Sequence, residues 1–295
     1  MASGGGGRDS SAMFFFVLVL GVAAFFWLGK DLLRSKQARD VFSSAMSGDK
    51  AAAGKLLKES EKSPQMAFVL ARCHWQGGCE GIDTNPPKAL QIWAQLAERV
   101  PEAAFNAGLI YEKGMVHGEP DTEKAGQYYR LAQAHSGAAA FRLAQMLEGS
   151  SPGEAQKLYL QAAMKDDNPL AAYKVGWLYY TQRRGADPVE AVKWFKRAAQ
   201  TGLVPDAMYM LGYIHIQQTG LRTADDRIYA ASWYLLAAQY DRSGMYRRKV
   251  TPFVLQLSEN ERTKAQNIAE QFISSYGTNA KAPHGYEDLI MEMAS

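Results

Sequence analysis

Five segments of this 295-residue chain repeat one short pattern. Ala67-Phe68-Val69-Leu70-Ala71 returns as Ala104-Phe105-Asn106-Ala107-Gly108, then as Ala140-Phe141-Arg142-Leu143-Ala144, Ala172-Tyr173-Lys174-Val175-Gly176 and Met208-Tyr209-Met210-Leu211-Gly212. The starts lie 37, 36, 32 and 36 residues apart. A period of this length marks stacked supersecondary units, each too small to bury its apolar face alone. Such stacks present extended surfaces rather than one deep cleft, which turns the question of function toward binding.

Counted from each opening residue, Ala in four copies and Met208 in the fifth, position +1 is aromatic in every copy and position +4 is Ala or Gly. Positions +3, +6 and +7 are mostly apolar, the spacing of an amphipathic helix. Glycine inside a helix costs about 1 kcal/mol relative to alanine, so its return at +4 implies a close packing contact that offsets the cost. A second helix follows each first one, opening at Ala89, Ala125, Ala155, Ala191 and Ala230. Its +4 residue is Trp93, Tyr129, Tyr159, Phe195 or Tyr234, and small residues dominate at +7 and +8. Aromatics facing alanines predict a steric lock between successive units. Gly, Pro and Asp punctuate the connections, as helix stops and starts require.

Ala12 to Gly29 is an 18-residue run without a charge, long enough for a transmembrane helix, and Trp27 stands near its end. The run continues past the small residues Gly21-Val22-Ala23, so it reads as an uncleaved anchor rather than a signal peptide. One basic residue, Arg8, precedes it; Lys30, Arg34, Lys36 and Arg39 follow. That asymmetry places the repeats in the cytoplasm. The expected organisation is a disordered head (1–11), the membrane helix (12–29), a juxtamembrane segment with N-terminal capping helices (30–62), the repeats (63–240), a C-terminal capping region (241–276) and a flexible tail (277–295). Phe42, Ala45 and Met46 are expected to pack on Leu56 and Leu57. Ser258-Glu259-Asn260-Glu261 has the form of a capping box opening a helix that runs to about Phe272.

The pattern small–aromatic–x–apolar–Gly, a Gly-containing loop, then Lys/Glu-Ala-x-x-aromatic-aromatic-x-x-Ala-Ala resembles the Sel-1-like repeat, a subclass of the tetratricopeptide-type repeats. The clearest copies are Ala172–Thr201 and Ala104–Ala134. The first copy departs, with Ala71 for glycine and a Cys73-to-Cys79 loop. The resemblance covers roughly residues 60–240. It implies an all-α fold: a right-handed α/α superhelical solenoid of about five helix pairs, capped at both ends and here preceded by one transmembrane helix. It also implies a repeat domain outside the cytoplasm, at a bacterial inner membrane, against the charge asymmetry.

No catalytic constellation stands out. The sequence has no HExxH, no zinc-type Cys/His spacing, no GxSxG and no phosphate-binding glycine loop. His74 and His215 both occupy the apolar +7 position and read as packing residues. Asp166-Asp167 reads as a turn. No catalytic, cofactor-binding or metal-binding residue is therefore assigned, and no cofactor, small-molecule substrate or nucleic-acid partner is expected. The net charge is only +3 and the basic run Arg242–Lys249 reads as a solvated helix end. Cys73 falls at the apolar +6 position. Two readings stand for it: a buried free thiol, or one half of a candidate disulfide with Cys79 that staples the loop in an oxidising compartment.

The function these features point to is a membrane-anchored scaffold or adaptor binding a protein or peptide on the repeat surface, in assembly or regulation of a membrane or envelope complex. The partner-binding residues are not assigned. The alternatives are a cell-envelope hydrolase, which rests on fold alone, or a permanent structural subunit of a membrane complex.

Overall fold

The computed structural model describes residues 36–181 and 186–276. The head, the apolar run at 12–29 and the tail lie outside them. Among the described residues there are fourteen helices and no strand, as the all-helical expectation requires. None of these helices is long and apolar enough to cross a membrane. Two helices lead, α1 (Lys36–Met46) and α2 (Lys50–Ser60). Five pairs follow: α3 (Pro64–Gln76) with α4 (Pro86–Leu96), α5 (Pro101–Lys113) with α6 (Thr122–Ala132), α7 (Gly137–Leu147) with α8 (Pro152–Lys165), α9 (Pro169–Thr181) with α10 (Pro188–Gly202), and α11 (Pro205–Thr219) with α12 (Ala224–Tyr240). Two more end the described residues, α13 (Met245–Val254) and α14 (Glu259–Tyr276).

The helix starts explain why the pairs form where they do. Proline opens four of the five first helices, where its fixed φ is already helical and its missing N–H is not needed. Asn85, Asp121, Asp187 and Thr223 cap second helices by accepting backbone N–H bonds. At the other end of α5, Gly114 has φ 62°, and a Cβ there would lie 2.5 Å from the Glu119 carbonyl carbon, so only glycine fits.

The described residues divide into two compact units, one up to Ala139 and one from Ala140 on. In the first, α1 and α2 pack with α3 around Val41, Ala45, Leu56, Val69, Leu70 and Cys73. Phe42 and Leu56 join this core as expected, but Leu57 is exposed. Adjacent helical residues point about 100° apart, so a two-helix cap can bury one leucine of the pair and not both. In the second unit α13 and α14 cover α12 through Val250, Val254, Leu257 and Ala265. The cap thus has a helix that turn-like residues conceal in the sequence: α13 carries Pro252 inside it. Its successor runs four residues past the expected end at Phe272, to Tyr276.

The expected capping box forms. Ser258 N–H donates to Glu261 (2.9 Å) and Glu261 N–H to the Ser258 hydroxyl (3.3 Å). Those bonds, with the Arg227 guanidinium, hold the Glu261 carboxyl down at about 2. A folded-state value below the ordinary 4.5 means the contribution is present above 4.5 and lost as pH falls toward 2. The melting-temperature gap between wild type and Glu261→Gln should therefore be open at pH 7 and close across that window. A gap that is constant with pH would show that the carboxylate charge is not what matters.

Candidate interaction surface

Every pair is built on one contact. The aromatic at +4 of the second helix packs beside the aromatic at +1 of its own first helix and, in three pairs, lies on the glycine at +4. Ring centroids are 6.2 Å apart for Phe68–Trp93, 5.7 Å for Phe105–Tyr129, 5.5 Å for Phe141–Tyr159, 5.7 Å for Tyr173–Phe195 and 5.3 Å for Tyr209–Tyr234. A Cβ on Gly108, Gly176 or Gly212 would meet these rings at 2.8, 2.9 and 2.7 Å. The lock is thus within each pair, not between successive units. A glycine-lined helix surface is the flattest available, and a ring laid on it loses water from both faces. Buried hydroxyls are satisfied by carboxylates at +8: Tyr129 donates to Glu112 (2.6 Å) and Tyr159 to Glu148. Burial, followed by the Glu148 carboxylate, pushes the Tyr159 phenol far above its ordinary value.

The last two repeats differ at +5 and +8. Position +5 carries Trp177 and Tyr213 where earlier copies have Arg72, Leu109 and Gln145, and Tyr180 stands at +8. Positions +1, +5 and +8 are four and three residues apart and share one helix face. The result is a continuous ladder on α9 and α11. Tyr173 meets Trp177 (6.5 Å), Trp177 meets Tyr180 (6.3 Å), Tyr180 meets Tyr213 edge-on (6.5 Å), and Tyr213 stacks on Tyr209 (6.3 Å). Tyr209 stacks in turn on Tyr246 of α13 at 4.9 Å, and the Lys249 ammonium sits over both rings. Trp177 is 40 % exposed. Beside it a groove of about 250 Å³ is lined by Tyr159, Lys174, Trp177, Leu178 and Thr181. Lys174 bonds Glu148 at 2.7 Å.

Burial, with Asp206 nearby, pushes the Tyr173 phenol up to about 12, and burial raises Tyr180, Tyr209 and Tyr246 as well. At neutral pH these groups are protonated: they stack and donate hydrogen bonds, and supply no nucleophile or base. The ladder's chemistry is that of recognition, with flat apolar faces, hydroxyl donors and flanking ammonium groups.

The residues weighed for chemistry sit elsewhere. His74 is buried and its Nδ1 lies 2.8 Å from the Asp83 carbonyl, pinning the first loop. His215 packs on Tyr229 at 4.8 Å, and burial lowers its pKa despite Asp226. Asp167 has φ 47° and pairs with Arg197, a turn residue. Among the described residues no cluster of His, Cys, Asp or Glu could hold a metal ion. The Cys73 and Cys79 sulfurs are bonded at 2.11 Å, with Cα atoms 5.6 Å apart. Met46 Sδ lies 3.4 Å from Cys79 Sγ, and Glu80 N–H donates to the Ala45 carbonyl at 3.2 Å. The stapled loop therefore carries part of the N-terminal cap. Replacing both cysteines by serine should cost about 2 kcal/mol from the lost loop closure. Urea unfolding under non-reducing conditions checks this, and a wild-type midpoint unmoved by the double substitution would contradict it.

The ladder was not assigned from the sequence. Its signal was present in the divergence of +5 between copies, against a background of five conserved-looking patterns within one chain.

The Sel1 repeat profile matches residues 64–99, 101–132, 137–167, 169–203 and 205–239, more than half of the chain. No curated protein matches significantly. Among solved structures, a Sel1 repeat protein from Oxalobacter formigenes is 22 % identical, with TM-score 0.63 over 81 % of this chain and 99 % of that one. A protective antigen of uropathogenic Escherichia coli with an SLR fold is 19 % identical, also at TM-score 0.63, over 87 % of this chain. This chain spans 58 % of that antigen's length. At these identities the likeness is one of fold. The matched segments coincide with the five helix pairs, each taken from its proline or glycine start through its second helix, and on that agreement the chain belongs to the Sel1 repeat family.

Proposed function

We propose that this chain is a membrane-anchored adaptor whose aromatic ladder on α9 and α11 holds a segment of a protein partner. Sel1 repeat proteins generally mediate protein–protein interaction. The observation that carries the reading is the +5 pair: Trp177 and Tyr213 replace smaller or polar residues, and Trp177, though packed beside Tyr173 and Tyr180, is left 40 % exposed. Trp and Tyr are the side chains most often found as binding hot spots. Residues 12–29 supply the anchor, and confinement to a membrane raises the effective concentration of a membrane partner. The bonded pair Cys73–Cys79 supports placing the repeats on the oxidising side, against the basic flank that follows the anchor.

Trp177→Ala and Tyr213→Ala should each weaken partner binding by about 2 kcal/mol, roughly 30-fold, with the fold intact. In-cell cross-linking of the full chain should recover a partner that the double variant loses. Equal recovery by wild type, the double variant and a transmembrane-only control would sink the reading. A phosphatase fused after Ser295 should be active and a cytoplasmic fluorescent reporter dark; the opposite result places the repeats in the cytoplasm.

A further inference from the structure

The basic run Arg242–Lys249 lies at the start of α13, and the two sides of that helix differ. Val250 and Val254 join the core around α12, and the buried Tyr246 lies against Tyr209. Met245, Arg248, Lys249, Pro252, Leu255 and Gln256 are exposed. Those positions are three or four residues apart, so they form one stripe along the helix. Met245 is 37 % exposed and Leu255 42 %. They stand at the two ends of the stripe, about 15 Å apart at the helical rise, with the cations between them.

From Arg242 to Ser258 the chain has four cations and no carboxylate. Arg242, Arg248 and Lys249 are exposed, and among the described residues none of the three is in an ion pair. The carboxylates bonded to α13 are turned inward. Asp241 is buried and accepts from the Ser243 and Tyr246 N–H groups at 2.9 and 2.8 Å. Asp206 accepts from the hydroxyl of buried Tyr246 at 2.7 Å. Past the stripe, Glu259 opens α14, and Glu261 is held by Ser258 and Arg227.

We propose that α13 lies on an anionic lipid bilayer, with Arg242, Arg248 and Lys249 on headgroup phosphates and Met245, Pro252 and Leu255 at the acyl boundary. A helix that mixes cations with large apolar side chains on its exposed side fits the headgroup zone, where both find a partner. The surface uses no ring of the ladder. The choice of a bilayer over another polyanion rests on residues 12–29 being an anchor, which holds the chain at a high effective concentration of headgroups. Each cation near an anionic bilayer is worth roughly 5-fold in affinity, so three give about 100-fold. Docked, α13 fixes which way its unit faces over the membrane.

The test uses the full chain reconstituted in vesicles of phosphatidylcholine, alone or mixed with phosphatidylglycerol. Cys73 and Cys79 are bonded to each other, so Leu255→Cys offers one free thiol for an environment-sensitive fluorophore. Met164→Cys, at an exposed site on α8, carries the same label as a control. The label at 255 should shift to the blue in the anionic vesicles only, and the label at 164 in neither. The shift should vanish at about 1 M salt, where the screening length is about 3 Å. Arg242→Gln with Arg248→Gln should lower the docking constant about 25-fold, roughly 5-fold for each cation removed. Lys249 is left in place because it also lies over Tyr209 and Tyr246. Equal spectra in the two vesicle types, equal shifts at the two labelled positions, or a shift unmoved by the double substitution overturn the proposal. So does an equal shift with poly-glutamate in place of phosphatidylglycerol, which would make the occupant an acidic protein segment. A chain retained on anionic vesicles and lost from phosphatidylcholine alone would remove the anchor and support the docking of α13. Trp177→Ala with Tyr213→Ala should leave the shift unchanged, so failure of the ladder as a binding surface reads separately from failure here.

Discussion

Phe195→Ala is expected to lower the free energy of unfolding by about 3–5 kcal/mol, the range for emptying a buried aromatic site. The ring is fully buried, lies on the Gly176 backbone and packs beside Tyr173. It has no hydroxyl to be satisfied, so the whole loss is packing and transfer. Little can collapse into the space, because the glycine beneath it has no side chain to extend. Against a total stability of typically 5–15 kcal/mol the change is large. Repeat arrays are held by nearest-neighbour contacts, so the fourth pair should open below the global transition. Urea unfolding followed by far-UV circular dichroism should show an earlier and broader transition. A loss under 1 kcal/mol would mean that this ring is not what joins α9 to α10.

Gly212→Val is the second large effect, with an expected loss of about 3 kcal/mol, at the upper end for overpacking. A Cβ at this position lies 2.7 Å from Tyr234 Cδ1 and Cε1, and 3.1 Å from the Ala230 carbonyl oxygen. The Tyr234 ring cannot retreat, being stacked on Tyr209 at 5.3 Å and edge-on to Phe253 at 5.4 Å. Gly212→Ala sets the same Cβ against the Tyr234 ring and should also destabilise, but by less, because it adds no γ-methyl groups. Alanine regains about 1 kcal/mol of helix propensity, and Ala71 and Ala144 occupy the same +4 position in pairs whose rings, Trp93 and Tyr159, are still buried. Melting temperatures of the two variants and wild type separate the cases; equal values for alanine and valine would show that the shared Cβ, not the γ-methyl groups, sets the loss.

Much of the architecture was legible beforehand for a plain reason. Apolar positions recurring at helical spacing, closed by Pro, Asp and Gly, name both the helices and their buried faces, and five copies average out the noise of any one. The Ser258–Glu261 box was readable because its hydrogen bonds are local. The Thr223–Asp226 box is equally local and was not assigned. α13 was hidden by Pro252 and by a basic run that looked like a solvated end. The direction of the aromatic lock was misread, since helical spacing says which face is buried and is silent about which neighbour buries it.

The sequence by itself determined the repeat, its helix pairs and the small-residue position on which each pair closes, because these are set by spacing along one helix. It also contained the divergence at +5, without indicating its consequence. Tertiary structure decided that the +4 ring lies on its own partner helix, and that Trp177, Tyr180 and Tyr213 join Tyr209 and Tyr246 into one surface. Those facts depend on how neighbouring helices are rotated and offset. That rotation is set by the summed packing of many side chains, each contributing a fraction of a kcal/mol, and no local pattern in the chain records the sum.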